Sequence, residues 1–399
     1  MGGTAKIFKK CAPNGRVYVY LGKREFVQCD GATEPVSGIV YIQDWKDTLK
    51  GRKVYVQLVV TFRHGREEDE TMGLSFKKEL IIDRTEVNPA ENKEGETKLQ
   101  TVLKQKLGDG AVPFTLQFPE LAPNSVLICS SEDEDPSKRT MGVFYDVRAH
   151  IADANDDYTG KKGSTVSMGI RKSQYAPNDI KQRSPTSTAE KGFVFGSGKI
   201  VLEANLDKEV FYHGQDIPLH VSLNNNSKKT VKSIQCTISQ ICELSMVNAH
   251  YSCKVARLES QDGCPLQSGG SLNRTFILKP LAQICQGARG LCLDASLSKV
   301  QDESNLASSS ISETGNNNDL LGVIVSYSIK VKVLLGGMGG ELETDIPFKL
   351  VHPRPDSLEM ENLNKEKTSA RSKQTDKRRR MFQGQDSVLN ESFHTSQDN

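Results

Sequence analysis

Long hydrophobic runs, paired cysteines and an excess of one charge are all missing from this chain of 399 residues. No run of about 18 apolar residues occurs, and residues 1–15 lack an apolar signal core, so neither a membrane-spanning helix nor a secretory leader is expected. The 52 Lys and Arg residues nearly balance the 50 Asp and Glu residues, and aromatic residues make up 6%. This composition argues against a general nucleic-acid binder, so any basic site must be local.

The signals of an enzyme are also missing. The nine cysteines include no CxxC pair and no cluster with histidine at zinc spacing, and the seven histidines are dispersed, without HExxH or GxSxG. GFVFGSGKI (192–200) has the wrong glycine spacing for a phosphate loop, and Ile200 stands where Ser or Thr would bind magnesium. We therefore expect no enzyme, no metal and no catalytic residue, and reduced, mostly buried thiols in a cytoplasmic protein.

Short β-rich runs recur along the chain, separated by turns that contain Gly, Asn and Pro. RVYVYL (16–21), KVYVQLVVTF (53–62) and GVIVSYSIKVKVLL (322–335) are typical. This pattern predicts an all-β protein built of antiparallel sandwiches. One segment, TKLQTVLKQKLG (97–108), predicts a helix, because its leucines recur every four residues and Gly108 can cap its end.

The chain divides into two strand-rich halves and a polar tail. A polar stretch at 176–192 without periodicity separates the halves, which gives a first sandwich at 1–178, a hinge at 179–192, a second sandwich at 193–354 and a tail at 355–399. LGKREFV (21–27) and LDKEVFY (206–212) each lie between two strands and hint at an internal repeat. Eight Lys and Arg residues between 365 and 380 predict a largely disordered, flexible tail.

The strand VSMGIRKSQYAP (166–177) places Arg171 in an unusual setting. Val166, Met168 and Ile170 share one face, whereas Arg171 shares the other with Ser167 and Gly169. A long cationic side chain on the same face as two small residues suggests that the Arg171 guanidinium points into a crowded interior rather than into water. It would then need acidic partners.

Basic residues cluster in three short segments, KIFKK (6–10), GKREF (22–26) and KQKLG (104–108). They are either solvated lysines or one converging anion-binding surface that donates charge-assisted hydrogen bonds to phosphate. The phosphate-binding candidates are Lys6, Lys9, Lys10, Arg24 and Lys106.

Several segments together resemble the arrestin family: KIFKKCAPNGRVYVYLGKREFV, PVSGIVYI, RHGREEDETMGLSFKKEL, GIRKSQYAP, LDKEVFYHG, NLASSS, GVIVSYSIKVKV and PFKLVHP. They run in order from about residue 6 to residue 354. The resemblance implies two seven-stranded β-sandwiches, one helix in the first, and a cytosolic regulator. Such a protein is recruited to the membrane by active, phosphorylated seven-helix receptors and blocks their coupling to G proteins.

The resemblance also implies partners for Arg171. It matches the family's phosphate-sensing arginine, held in a buried polar core by carboxylates. Asp294 matches one acid, and Glu25 stands where the family usually has Asp. Either Asp302 or Glu303 matches the remaining acid, because the stretch that precedes Asn305 is two residues longer than expected. A network that serves stability alone is the alternative.

Further roles follow from the resemblance. Lys232, Lys254 and Lys330 lie near positions that bind inositol polyphosphates in some relatives, which would make a phosphoinositide membrane surface a further partner. The helical stripe Leu99, Leu103 and Leu107 would cover Ile7 and Phe8 in a three-element packing site. The finger loop that engages the receptor corresponds to residues 63–75, with the candidates Arg66, Glu67, Glu68, Asp69, Met72 and Leu74.

The tail bears on which arrestin the chain resembles. It contains neither a clathrin box nor the adaptin motif of endocytic adaptors, which favours an invertebrate visual arrestin that binds light-activated, phosphorylated rhodopsin. A non-visual arrestin or an arrestin-like trafficking scaffold without phosphate control is the alternative. The tail phosphorylation candidates are Ser387, Ser392 and Ser396, and the candidates for a tail arginine in the polar core are Arg371, Arg378, Arg379 and Arg380.

Overall fold

A computed structural model describes residues 7–29, 32–65, 76–91, 93–95, 97–129, 141–152, 162–176, 183–193, 198–285, 288–294, 306–311 and 322–353. Strands dominate this part of the chain, which confirms the all-β prediction. Both halves belong to one compact unit that ends at His352.

The first half of the chain supplies eleven described strands and both described α-helices. The strands are β1 (Phe8–Cys11), β2 (Val17–Leu21), β3 (Glu25–Cys29), β4 (Ala32–Thr33), β5 (Val36–Ile42), β6 (Val54–His64), β7 (Phe76–Val87), β8 (Ala111–Leu116), β9 (Val126–Ile128), β10 (Gly142–Ile151) and β11 (Val166–Gln174). The helices are α1 (Trp45–Leu49) and α2 (Lys98–Leu107).

The second half supplies the remaining described strands. They are β12 (Thr186–Gly192), β13 (Lys199–Leu206), β14 (Val210–Tyr212), β15 (Ile217–Asn225), β16 (Val231–Leu244), β17 (Ala249–Ser260), β18 (Gly270–Leu278), β19 (Cys292–Asp294), β20 (Val323–Leu335) and β21 (Glu341–Val351).

These strands form two sandwiches of two sheets each. The first sandwich packs β1-β2-β5-β8 against a larger sheet, β19-β9-β10-β11-β3-β4, in which β6 pairs with β10 and β7. The second packs β12-β13-β15-β18 against β14-β21-β20-β16-β17. The clearest alternation occurs in β20, where every second residue from Val323 to Leu335 is buried. Such half-buried strands supply the apolar inner faces that drive sandwich formation.

The strand β19 belongs to the second half of the chain but joins the first sandwich. It pairs antiparallel with β9, with Asp294 opposite Val126. The adjacent Ser125 exchanges hydrogen bonds with Lys172, because its N–H donates to the Lys172 carbonyl at 2.8 Å and its Oγ accepts from the Lys172 N–H at 3.0 Å. This pairing carries Asp294 to the strand that holds Arg171.

The sequence repeat at 21–27 and 206–212 is reflected in the structure. β3 and β14 each pair in parallel with the last strand of their own half of the chain, β11 and β21. Phe26 and Phe211 are almost fully buried at corresponding positions, and the ammonium groups of Lys23 and Lys208 lie 5.3 and 5.0 Å from their ring centroids. Antiparallel pairs predominate elsewhere.

The predicted hinge is shorter than expected, because residues 186–192 form strand β12. It pairs along its whole length with β13. Its inward positions carry small or polar side chains such as Ser187 and Ala189, so its alternation is not hydrophobic and gives no strand signal in the sequence. Ser187 instead shares a 2.7 Å hydrogen bond with Thr344 on β21.

Helix α2 forms where the leucine periodicity predicts it. Thr97 and Gln100 make a reciprocal capping box at its start, and the Gly108 N–H bonds to the Lys104 carbonyl at its end. The five-residue helix α1 was not predicted. The side chain of Arg52 donates to the Thr48 and Leu49 carbonyls and so caps a helix too short for periodicity to reveal.

All nine cysteines lie in the described part and none forms a disulfide. Four are buried and five are partly exposed, so the expectation of mostly buried thiols holds for fewer than half of them. Within the described residues, no helix is long and apolar enough to cross a membrane.

Candidate functional site

Arg171 lies at the joint between the sandwiches, where its side chain is 13% exposed. Its Nε donates to Asp294 Oδ1 at 3.0 Å and its Nη2 donates to Asp294 Oδ2, so the guanidinium binds that carboxylate with two nitrogens. Its Nη1 donates to Glu25 Oε1 at 3.2 Å. Bidentate, charge-assisted hydrogen bonds of this kind are among the strongest between side chains. The predicted pairing of Arg171 with Asp294 and Glu25 is therefore present.

The two carboxylates differ in environment. The Asp294 side chain is 8% exposed, whereas that of Glu25 is 55% exposed. Burial by itself raises the pKa of Asp294, but the hydrogen bond from His352 and the positive charge of Arg171 outweigh burial, so its pKa lies below the usual value. Asp294 is consequently a buried, ionised carboxylate, and Glu25 closes the network on its solvent side.

Two histidines complete the cluster, and the sequence interpretation missed both. The ionised Asp294 carboxylate can only accept, so His352 Nε2 donates to Asp294 Oδ2, at 2.6 Å. The ring of His213 lies 4.4 Å from that of His352. Each histidine directly follows one strand of the parallel pair β14 and β21, whose carboxyl ends lie together. The available sequence signal was that both strands end in a histidine, in VFYH (210–213) and KLVH (349–352).

Lys172 is a second buried cation, beside Arg171, and is 1% exposed. Its ammonium donates to Gln28 Oε1 at 2.6 Å and to Asn124 Oδ1 at 3.3 Å. Burial lowers the pKa of Lys172 to about 7. Alternation turns this side chain away from the carboxylates that hold Arg171.

The predicted basic residues line both faces of strand β1. Lys9 lies over the rings of Tyr18 and Tyr20, at 4.8 and 5.7 Å, on the face that carries α2. Lys10 is exposed on the opposite face with Phe8, over which Arg24 lies at 5.8 Å. Arg24 Nε also donates to the Gly169 carbonyl at 2.7 Å, two residues before Arg171. Lys106 is exposed on α2.

The leucine stripe of α2 covers a different surface from the predicted one. Leu103 is buried against Tyr20, Ile39 and Ala111 of β2, β5 and β8, with Leu99 and Leu107 packed beside it. Gln100 Nε2 ties the helix to the same sheet through the Gly38 and Phe114 carbonyls. Phe8 packs on the main core, and Ile7 remains 41% exposed. The helix packs against β5 and β8 because those strands present apolar side chains on the outer face of their sheet.

The lysines expected to bind inositol polyphosphates lie on the second sandwich. Lys232 and Lys254 are exposed on β16 and β17, and Lys330 on β20 contacts Glu343 at 3.3 Å and Asp345 at 3.7 Å. Two carboxylates therefore already neutralise Lys330, and inositol polyphosphate binding stays a prediction.

Other predicted residues lie outside the described part. They are Lys6, the finger-loop candidates Arg66, Glu67, Glu68, Asp69, Met72 and Leu74, the acids Asp302 and Glu303, and the tail candidates Ser387, Ser392, Ser396, Arg371, Arg378, Arg379 and Arg380.

Two β-sandwiches joined by a buried arginine–carboxylate network define a two-domain all-β protein. The family model described as "Arrestin (or S-antigen), N-terminal domain" matches residues 17–176, and that described as "Arrestin (or S-antigen), C-terminal domain" matches residues 196–355. The chain belongs to the arrestin family, whose members are non-enzymatic scaffolds and regulators.

Arthropod arrestins are similar to this chain over most of its length. Phosrestin-1 of Drosophila melanogaster is 44% identical over 363 residues, 90% of this chain and 89% of the relative. An arrestin homolog of Locusta migratoria is 44% identical over 360 residues, 90% and 87% of the two chains. The protein "Arrestin, lateral eye" of Limulus polyphemus is 42% identical over 353 residues, 88% and 86% of the two chains.

Proposed function

We propose that this protein binds light-activated, phosphorylated rhodopsin, or a related G-protein-coupled receptor, and ends G-protein signalling by occupying it. The observation that carries the proposal is the bidentate pair of Arg171 and Asp294 at the joint of the sandwiches. Family membership supports receptor desensitisation in general, and the lateral-eye name of one relative supports a visual receptor. The protein would be cytoplasmic and recruited to the membrane by its receptor.

The proposed mechanism is competition for Arg171. A receptor phosphate carries a charge of about −1.5 to −2 and three acceptor oxygens, so it can bind a guanidinium more strongly than a single carboxylate does. Glu25 lies on the exposed side of the network, and its neighbour Arg24 lies over the ring of Phe8, which shares a face of β1 with the exposed Lys10. A phosphate that arrives along Lys10 and Arg24 would meet Arg171 from this side. Loss of the pair would leave Asp294 without its main cation and loosen the joint.

The test is a pull-down of the full chain with rhodopsin in four states, dark or light-activated and phosphorylated or not. We expect strong binding only to the light-activated, phosphorylated form. Arg171→Glu should bind the light-activated, unphosphorylated form as well, because the substitution breaks the pair without phosphate. Equal binding of the wild-type chain to phosphorylated and unphosphorylated receptor would support a phosphate-independent trafficking scaffold instead.

A further inference from the structure

His352 is connected to the first sandwich at two points. Its imidazole donates to Asp294, which holds Arg171. Its carbonyl accepts from the Ala176 N–H at 3.1 Å, and its backbone pairs in parallel with Tyr175. Tyr175 and Ala176 directly follow β11, the strand that carries Arg171. The residue therefore stays beside Asp294 through backbone contacts that do not involve Arg171.

Arg171 and His352 share one acceptor atom. Asp294 Oδ2 accepts from both Arg171 Nη2 and His352 Nε2, whereas Oδ1 accepts from Arg171 Nε. The imidazole thus competes with the guanidinium for Oδ2 while Arg171 is in place. If Arg171 leaves, the carboxylate keeps one donor and is not left as an uncompensated buried anion.

The ring of His213 packs beside that of His352, with 4.4 Å between the two ring centroids. Its Nε2 lies 3.0 Å from Ser308 Oγ, and its N–H donates to the Val351 carbonyl at 3.1 Å. Burial and the neighbouring His352 lower the pKa of His213 to about 3, so this ring is neutral near pH 7. His213 is therefore a fixed, uncharged neighbour of the His352 ring.

We propose that His352 is a positioning residue of the phosphate switch, which remains on Asp294 when phosphate draws Arg171 away and keeps that buried carboxylate hydrogen-bonded. The inference rests on the proposed function and deepens it. The groups that face His352 are the carboxylate of Asp294, the guanidinium of Arg171 beside Glu25, and the neutral ring of His213. Departure of Arg171 removes the strongest cation from this set and leaves the imidazole N–H as a donor to Asp294 Oδ2.

Replacement of His352 should change receptor binding in the direction opposite to replacement of Arg171 or Asp294. Removal of Arg171 or Asp294 opens the joint without phosphate, whereas removal of the His352 imidazole should make opening harder, since Asp294 then has only Arg171 to neutralise it. We expect His352→Leu to bind a phosphorylated partner about ten- to a hundredfold more weakly, the range typical for loss of a hydrogen bond to a charged group. It should show no gain for an unphosphorylated partner.

The experiment uses the full chain and a synthetic peptide that carries three phosphoserines, whose affinity is measured by titration calorimetry. His352→Gln keeps a donor at the position of Nε2, so it should recover most of the affinity that His352→Leu loses.

His220→Gln is the matched control. His220 Nε2 also bonds to a carboxylate, Asp207 Oδ1 at 2.9 Å, but on the outer surface of the second sandwich. This variant should bind the peptide with wild-type affinity. The midpoint of urea unfolding of each variant verifies that it is folded.

Three results would overturn the inference and leave the proposed function standing. Failure of His352→Gln to recover affinity would show that the imidazole does not act as the donor to Asp294, and unchanged affinity of His352→Leu would remove its contribution to release. Phosphate-independent binding of His352→Leu to light-activated rhodopsin would make the residue an ordinary part of the latch. If the peptide fails to bind the wild-type chain, the proposed phosphate sensing itself falls, and the inference falls with it.

Discussion

The guanidinium of Arg171 binds both carboxylate oxygens of Asp294, across the joint between the two sandwiches. Glu25 faces Arg171 in the register of β3 and β11 but receives one bond, and its side chain is mostly exposed. Two acids on the same arginine therefore contribute unequally, because desolvation makes the inner pair costly to break and the outer pair is screened by water.

The first prediction compares these acids by isosteric substitution. Asp294→Asn leaves Arg171 buried without its main counter-charge and should lower the free energy of unfolding by about 3 to 5 kcal/mol. Glu25→Gln should lower it by about 1 kcal/mol or less. Urea unfolding measures both, and Asp294→Asn should bind light-activated, unphosphorylated rhodopsin better than Glu25→Gln. Equal effects of the two substitutions would contradict the distinction between Asp294 as the buried partner of Arg171 and Glu25 as the exposed one.

A second prediction concerns Lys9 and Lys10. Their replacement by Ala removes two candidate phosphate contacts without touching Arg171, so binding to phosphorylated receptor should weaken and depend less on salt. The measurement is receptor affinity between low and high ionic strength. The double Ala variant of Lys228 and Lys229, in the turn before β16, makes the same charge change elsewhere and should behave as wild type. If both double variants show the same salt dependence, Lys9 and Lys10 are solvated lysines.

Lys172 provides a prediction about pH. Its pKa is about 7 in the folded protein against an ordinary 10.5, so burial of its charge destabilises the fold below pH 7, and this cost disappears as the pH rises towards 10.5. Lys172→Met lacks the charge at every pH. The stability of the variant relative to wild type should therefore be about 4 kcal/mol more favourable at pH 6 than at pH 10.

Chemical unfolding at several pH values measures this difference. A stability difference that is constant between pH 6 and pH 10 would show that Lys172 keeps an ordinary affinity for its proton.

The last prediction concerns the tail, whose residues 354–399 lie outside the described part. Ile7, directly before β1, and Val102 on α2 expose apolar surface that could receive an apolar segment of the tail. Deletion of residues 376–399 should preserve the fold and increase binding to active receptor, most clearly to the unphosphorylated form. Amide exchange of residues 7–11 and 98–107 should rise in the truncated protein. Unchanged exchange together with unchanged receptor binding would mean that the tail is not a latch.

Local sequence patterns were sufficient where one element presents a clear periodic face. The alternation of β20, the leucines of α2 and its capping residues predicted those elements because short-range geometry determines which side chains share a face. Strands such as β12 escaped prediction, since their inward side chains are small or polar and their partners are distant in the sequence. The prediction of which surface α2 covers was wrong for the same reason, because the helix packs on whichever outer sheet face is apolar, and that face exists only in the folded sheet.

The site divides in the same way. The sequence alone determined that Arg171 is a cation behind small residues, and the family pattern indicated Asp294 and Glu25 as its acids. Only the tertiary structure decided that Asp294 is the buried partner, that Glu25 is exposed, and that His352 and His213 join them. These residues come from strands far apart in the chain, and their solvent exposure and shared hydrogen bonds exist only once β19 has crossed to the first sandwich and β14 has paired with β21.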